Sequence, residues 1–150
     1  MIDARAAMCE SGPGGAASPF AQAMACVLQC MKDRVLGGDR DQVGVLLYGT
    51  EQTKVPHGQG FPNIYLLQEL EEPSANSMRA ISLLIAATSP DTPAEEVASL
   101  TSMPGLDFGH LEASSSATLE LGNVLWVTSI LFNSCAVKKT RRRVYLFTND

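Results

Sequence analysis

Two apolar runs organise the hydrophobic pattern of this chain. Val43-Gly44-Val45-Leu46-Leu47-Tyr48-Gly49-Thr50 and Asn63-Ile64-Tyr65-Leu66-Leu67-Gln68-Glu69-Leu70 are short, rich in β-branched or aromatic residues, and closed by turn or charged residues. That pattern predicts two buried strands. Residues 51–62 between them carry Pro56, Gly58, Gly60 and Pro62, too many breakers for a crossover helix. Parallel neighbours need a crossover of about a dozen residues or more, usually helical, so these two strands are expected to pair antiparallel.

The remaining apolar segments read as elements that cover or extend this pair. Met1-Ile2-Asp3-Ala4 has the character of the last residues of a strand, and residues 10–17 are Gly/Ser/Pro-rich loop. Ser18-Pro19 supplies an N-cap followed by proline at the first helical position. Phe20, Met24, Val27, Leu28, Met31 and Val35 then recur at spacings of three and four, until Gly37-Gly38 stops the helix. A second helical face, Met78, Ile81, Leu84, Ile85 and Thr88, follows a candidate cap at Ser74. Three prolines make residues 89–104 a loop or a short helix at best. A third helix carries Leu121, Val124, Leu125, Thr128, Leu131 and Phe132 on one stripe, with Trp126 off it. Val144-Tyr145-Leu146-Phe147 is a final strand.

The order β, α, β, β, α, α, β predicts an α/β fold: an open, mostly parallel sheet with one antiparallel edge strand and helices on both faces. Right-handed crossovers would set the first and last strands side by side. Their carboxyl ends would then form a topological switch point, where such folds place ligands. Asp3 and Asn149 fall at those two ends.

Composition changes this picture little. The chain is the size of one domain, with 45% hydrophobic and 18% charged residues, which are globular values. A net charge of -5 argues against a dedicated nucleic-acid binder acting alone. Within that total, Lys138, Lys139, Arg141, Arg142 and Arg143 crowd into one basic segment, a candidate for phosphate contacts whose bland alternative is a solvated turn. Cys9, Cys26, Cys30 and Cys135 form no CxxC pair and lie far from His57 and His110, so no zinc spacing is visible and reduced thiols are expected. No run of about 18 apolar residues predicts a membrane span.

Candidate chemistry centres on the strand tips. A divalent cation there would need several oxygen donors. Asp3 offers a carboxylate, but the next positions, Arg5 and Ala7, offer a repelling guanidinium and nothing, and Asn149 is a neutral amide. The expected site is therefore a degenerate one that holds no metal. The sequence has no GxSxG elbow and no phosphate loop, and Gly12-Pro13-Gly14-Gly15 is interrupted by proline. The paired carboxylates Glu71-Glu72 and Glu95-Glu96 read as solvated surface. No catalytic residue and no cofactor emerge, so an enzyme is the weaker hypothesis.

Longer strings carry a resemblance. Asp39-Arg40-Asp41, Tyr48-Gly49-Thr50-Glu51, residues 63–70, Ser18-Pro19-Phe20, Val124-Leu125-Trp126-Val127 with Leu131-Phe132, and residues 143–149 together resemble the amino-terminal von Willebrand A-like, Rossmann-type domain of the Ku heterodimer's seventy-kilodalton subunit. The resemblance covers nearly the whole of 1–150. It implies a heterodimer with a second Ku subunit, binding of double-stranded DNA ends by the full-length protein, and contact with other end-joining proteins. It further implies a role in non-homologous end joining and telomere maintenance in the nucleus, with no membrane. On this resemblance the chain is a partial domain, truncated at both ends and without the DNA-encircling β-barrel and C-terminal parts, so the expected role here is protein–protein interaction.

Departures from the family bear on chemistry. Members with a lyase-type activity use a lysine just after Asp-Ala-Ser; here Arg5 replaces the serine and Ala6 the lysine, leaving no amine for a Schiff base. The metal-dependent adhesion motif Asp-x-Ser-x-Ser reads Asp3-Ala4-Arg5-Ala6-Ala7, so two hydroxyl ligands are missing. The family also carries an ATP-dependent helicase label, for which no nucleotide motif is seen. The alternative function is a metal-dependent adhesion-type or hydrolase-like α/β domain.

Overall fold

The two apolar runs do form a hydrogen-bonded antiparallel pair, and their burial on both faces explains why they lack polar alternation. In the computed structural model, which describes residues 1–55, 60–88, 95, 109, 121–135 and 141–149, β1 (Ile2–Asp3), β2 (Val43–Tyr48) and β3 (Ile64–Glu71) make a sheet of order β1-β2-β3. β1 pairs parallel to β2, with Ile2 opposite Leu47, and β2 pairs antiparallel to β3. Helices α1 (Ala6–Cys9), α2 (Pro19–Gly37), α3 (Ala75–Ala87) and α4 (Leu121–Ser134) accompany them. This is the expected α/β arrangement.

Pleating sends alternate residues of β2 and β3 to opposite sides. Val45, Leu47 and Tyr65 meet Phe20, Met24, Leu28 and Met31 of α2 and Ile81 and Leu84 of α3. Leu46, Tyr48, Ile64 and Leu66 meet Val124 and Val127 of α4 on the other face. Each fully buried large side chain contributes about 1.5–3 kcal/mol relative to its exposed state. Helices therefore cover both faces, as the alternation of elements predicts.

Local signals set the helix ends. Ser18 caps α2 by accepting from the Ala21 amide at 3.2 Å, and Gly38, at φ 70°, closes it in the left-handed conformation. Ser74 and Ser77 form a reciprocal capping box at the start of α3. β3 carries two extra residues relative to β2, between the Glu71 and Gln68 pairings and between Gln68 and Leu66. These bulges increase its twist, and the Gln68 side chain bridges one of them by donating to the Val43 carbonyl at 3.1 Å.

Three expectations change. The stripe of α4 is displaced: Val124 and Val127 are buried, whereas Leu121, Leu125 and Trp126 are exposed. The helical pattern has apolar residues all round, so periodicity alone could not tell which of them face the sheet. Val35, on the expected stripe of α2, is exposed in the last turn of the helix. A short helix, α1, follows β1 over residues to which the hydrophobic pattern assigned no element. The segment 144–147 makes one parallel bridge, Phe147 to Ile2, rather than a full strand, since β1 is two residues long. Even so, the first and last segments lie side by side, with β1 between β2 and Phe147. Most of residues 89–120, including the loop at 89–104 and Glu96, lies outside the described residues.

Candidate functional site

The strand tips converge as expected, and the structure shows what occupies their crevice. Asp3 is fully buried at the end of β1. Its neighbours are fixed by backbone bonds on both sides: the Asp3 amide donates to the Phe147 carbonyl at 2.9 Å, and the Ala4 amide to the Tyr48 carbonyl at 2.8 Å. The next residues close the carboxylate in. The Arg5 amide donates to Asp3 Oδ1 at 3.0 Å, a local turn that short polar side chains favour. The Arg5 guanidinium then folds back, with Nε 3.0 Å from both carboxylate oxygens and Nη2 2.5 Å from Oδ2. Thr148, from the opposite tip, donates its hydroxyl to Asp3 Oδ2 at 3.3 Å, and the Asn149 amide donates to the Ala7 carbonyl at 3.4 Å.

Gly49 makes this fold-back sterically feasible. It ends β2 at φ 75°, and a Cβ there would stand 2.5 Å from Arg5 Cγ. Glycine is thus required twice, by the left-handed turn and by the arginine stem lying against it. Behind the pair, the Cys9 thiol is pushed up to about 12 by burial and secondarily by the Asp3 carboxylate, which makes it a poor nucleophile.

These residues do not fit a divalent ion. A buried carboxylate already forked by a guanidinium has its charge neutralised, and the positions where hydroxyl ligands would stand are Arg5 and Ala7. Among the described residues no cluster of three or more histidine, cysteine, aspartate or glutamate side chains is arranged to hold a metal. The arrangement can do one thing well: it locks the switch point with an internal ion pair whose guanidinium is about a third exposed at the surface.

The basic segment sits elsewhere. Because residues 144–147 run parallel to β1, Arg141, Arg142 and Arg143 lie at the amino end of that segment and Asn149 at its carboxyl end, roughly 20 Å apart at the rise of an extended chain. All three arginines are exposed. Arg142 stacks over the Phe132 ring at 5.5 Å and reaches Asn133 Oδ1 at 3.4 Å, which ties it to the end of α4. Tyr145, in the segment that follows them, is exposed. Lys138 and Lys139 lie outside the described residues. The structure does not bring the two candidate sites together. Among the described helices none is long and apolar enough to cross a membrane.

Sequence reasoning missed the roles of Gly49, Thr148 and Cys9. Tyr-Gly-Thr at the end of an apolar run was the signal that could have found the first; Thr148 depends on a contact 145 residues away in the chain, and Cys9 on how the core packs around it.

Comparison with known proteins places this geometry. The chain is 28% identical over all 150 residues to X-ray repair cross-complementing protein 6 of Mus musculus, covering 22% of that protein. It is 29% identical over 150 residues to ATP-dependent DNA helicase 2 subunit 1 of Rhipicephalus appendiculatus, covering 21% of it. Over 134 residues, 89% of this chain, it is 31% identical to ATP-dependent DNA helicase II subunit 1 of Phaeosphaeria nodorum, covering 18% of that protein. The chain thus spans about a fifth of the length of these curated relatives. The Ku70/Ku80 N-terminal alpha/beta domain matches residues 1–150 from end to end, and the chain belongs to that family.

Proposed function

We propose that this chain is the docking module of a Ku-type DNA-end-binding heterodimer, acting by protein–protein contact rather than by turnover. The reading extends to double-strand break repair by non-homologous end joining and to telomere maintenance, in the nucleus. Its partners would be a second Ku subunit, other end-joining proteins and, through the full-length protein, double-stranded DNA ends. Encirclement of DNA belongs, on this reading, to parts of the full-length protein outside residues 1–150.

The observation that carries the non-catalytic part is the Asp3–Arg5 pair. The switch point of an open α/β sheet is where ligands normally bind, and here a guanidinium from the chain itself occupies the carboxylate. The end-to-end family match supports the Ku part. The exposed arginines 141–143, with Lys138 and Lys139 beside them in sequence, are candidates for phosphate contacts.

Two experiments test the reading. The full-length gene product should co-purify with a second Ku-like chain on DNA carrying free ends, and failure to bind such ends refutes the assignment. Calorimetric titration of the 150-residue chain with magnesium or manganese should give no heat of binding. A saturable heat lost on Asp3→Asn would instead favour the metal-dependent adhesion or hydrolase-like alternative.

A further inference from the structure

A cleft of about 450 Å³ opens between the second half of β3 and the first turns of α3, a volume in the range of small-ligand sites. Gln68 lines it and is itself buried, only 7% exposed. Its Nε2 donates to the Val43 carbonyl at 3.1 Å, which fixes the amide orientation, because the flipped group would set two oxygens against each other. Oε1 therefore turns away from β2, toward the cleft, and among the described residues this buried acceptor has no partner. Buried polar atoms are nearly always hydrogen-bonded, so an orphan in the lining of a cleft points to a donor supplied from outside.

The bulged register of β3 brings a carboxylate to the same place. Gln68 lies opposite Val45 and Glu71 opposite Val43, and those two valines, two residues apart, share one face of the sheet. Gln68 and Glu71 thus face the same side although they are three apart, which a regular strand forbids. The charged residues of the lining are Glu69 and Glu71, both exposed, and among the described residues no basic side chain pairs with either. The start of α3 offers an anion little, since Ser74 and Ser77 commit their hydroxyls and the Ser77 amide to the capping box. A divalent ion would need about six oxygens in a closed array, more than one amide and two carboxylates supply. A guanidinium, with five N–H donors, no acceptor and weak hydration, suits these groups. Leu67, Ala80 and Ile81 add an apolar wall for its methylene stem.

We propose that this cleft seats an arginine side chain of a partner protein, its guanidinium donating to Gln68 Oε1 and to the Glu71 carboxylate. An arginine within a polypeptide lays its methylenes on the apolar wall and continues into a neutral backbone. A free polyamine would set further ammonium groups against that wall, which favours the polypeptide as the source. The choice of a protein source rests on the reading of this chain as a docking module, but the two fail separately. Loss of DNA-end binding would refute the Ku assignment without touching the cleft, and an empty cleft would leave end binding as it is.

Saturation-transfer NMR of the full-length gene product tests it, with Nα-acetyl-arginine amide as the probe. The arginine derivative should receive saturation from the protein, and the citrulline analogue, neutral and of the same shape, should receive none. Glu71→Gln keeps the fold's surface polarity but removes the charge, and it should weaken binding about tenfold. Glu72→Gln, exposed and outside the lining, should leave binding unchanged. Gln68→Leu should weaken binding as well, with its fold checked by circular dichroism; Glu71→Gln decides the question if that variant does not fold. No saturation of the arginine derivative overturns the proposal. So does an equal response to the citrulline analogue, an equal loss with Glu72→Gln, or tighter binding of spermidine than of the arginine derivative.

Discussion

Removing the Arg5 guanidinium should cost more stability than removing the charge it neutralises. In Arg5→Ala the Asp3 carboxylate stays fully buried and keeps only the residue-5 amide, at 3.0 Å, and the Thr148 hydroxyl, at 3.3 Å. Breaking a buried pair in this way typically costs about 3–5 kcal/mol. The lower end applies here, about 3 kcal/mol, because the Arg5 side chain is 32% exposed and water already screens part of the attraction. In Asp3→Asn the side-chain oxygen can still accept from the Arg5 amide, and the released guanidinium can turn to solvent. That variant should lose about 1–2 kcal/mol. Adding Asp3→Asn to Arg5→Ala should restore part of the loss, with a coupling of about 1–2 kcal/mol. Urea unfolding followed by circular dichroism reads these values. With a slope of about 2 kcal/mol per molar, Arg5→Ala should lower the midpoint by about 1.5 M and Asp3→Asn by about 0.5–1 M. The reasoning fails if Asp3→Asn proves the more damaging change, or if the two substitutions are additive.

Further outcomes follow from neighbouring groups. Gly49→Ala should destabilise by about 2 kcal/mol through its left-handed backbone and its clash with Arg5 Cγ, and Arg5→Ala should relieve part of that loss in the same urea assay. At about pH 8 the exposed Cys26 should react quickly with a disulfide reagent while Cys9 stays protected, as mass spectrometry of the labelled peptides would show. The Cys9 thiol is raised in the folded state, so native protein holds its proton longer than unfolded protein does. Stability should therefore fall as pH rises from about 9 toward 12, and Cys9→Ala should flatten that part of the profile. If the basic segment meets DNA, replacing Arg141 and Arg143 by glutamine in the full-length protein should reduce the logarithmic salt dependence of end binding by about 1 for each phosphate no longer neutralised. An unchanged slope would leave those arginines as solvated surface.

How much of this was legible beforehand differs from element to element. Ser18-Pro19, Gly37-Gly38 and Ser74 marked helix ends because caps and stops act within a few residues of the backbone they satisfy. The antiparallel β2–β3 pair was legible because a breaker-rich connection cannot supply a crossover helix. The stripe of α4 was not, since a helix with apolar residues all round leaves the choice of buried face to its neighbours.

The ends of α2 and α3 and the antiparallel pairing of β2 with β3 were therefore settled by local chemistry, which one dimension of sequence contains. Tertiary structure decided that Arg5 would fold back rather than point onward, that Gly49 would leave room for it, and that Thr148 would arrive from the far end of the chain. It also set the arginines at the other end of the sheet from the strand tips. Those outcomes depend on which segments become neighbours, and the burial that makes an ion pair or a glycine matter exists only after the chain has closed around it.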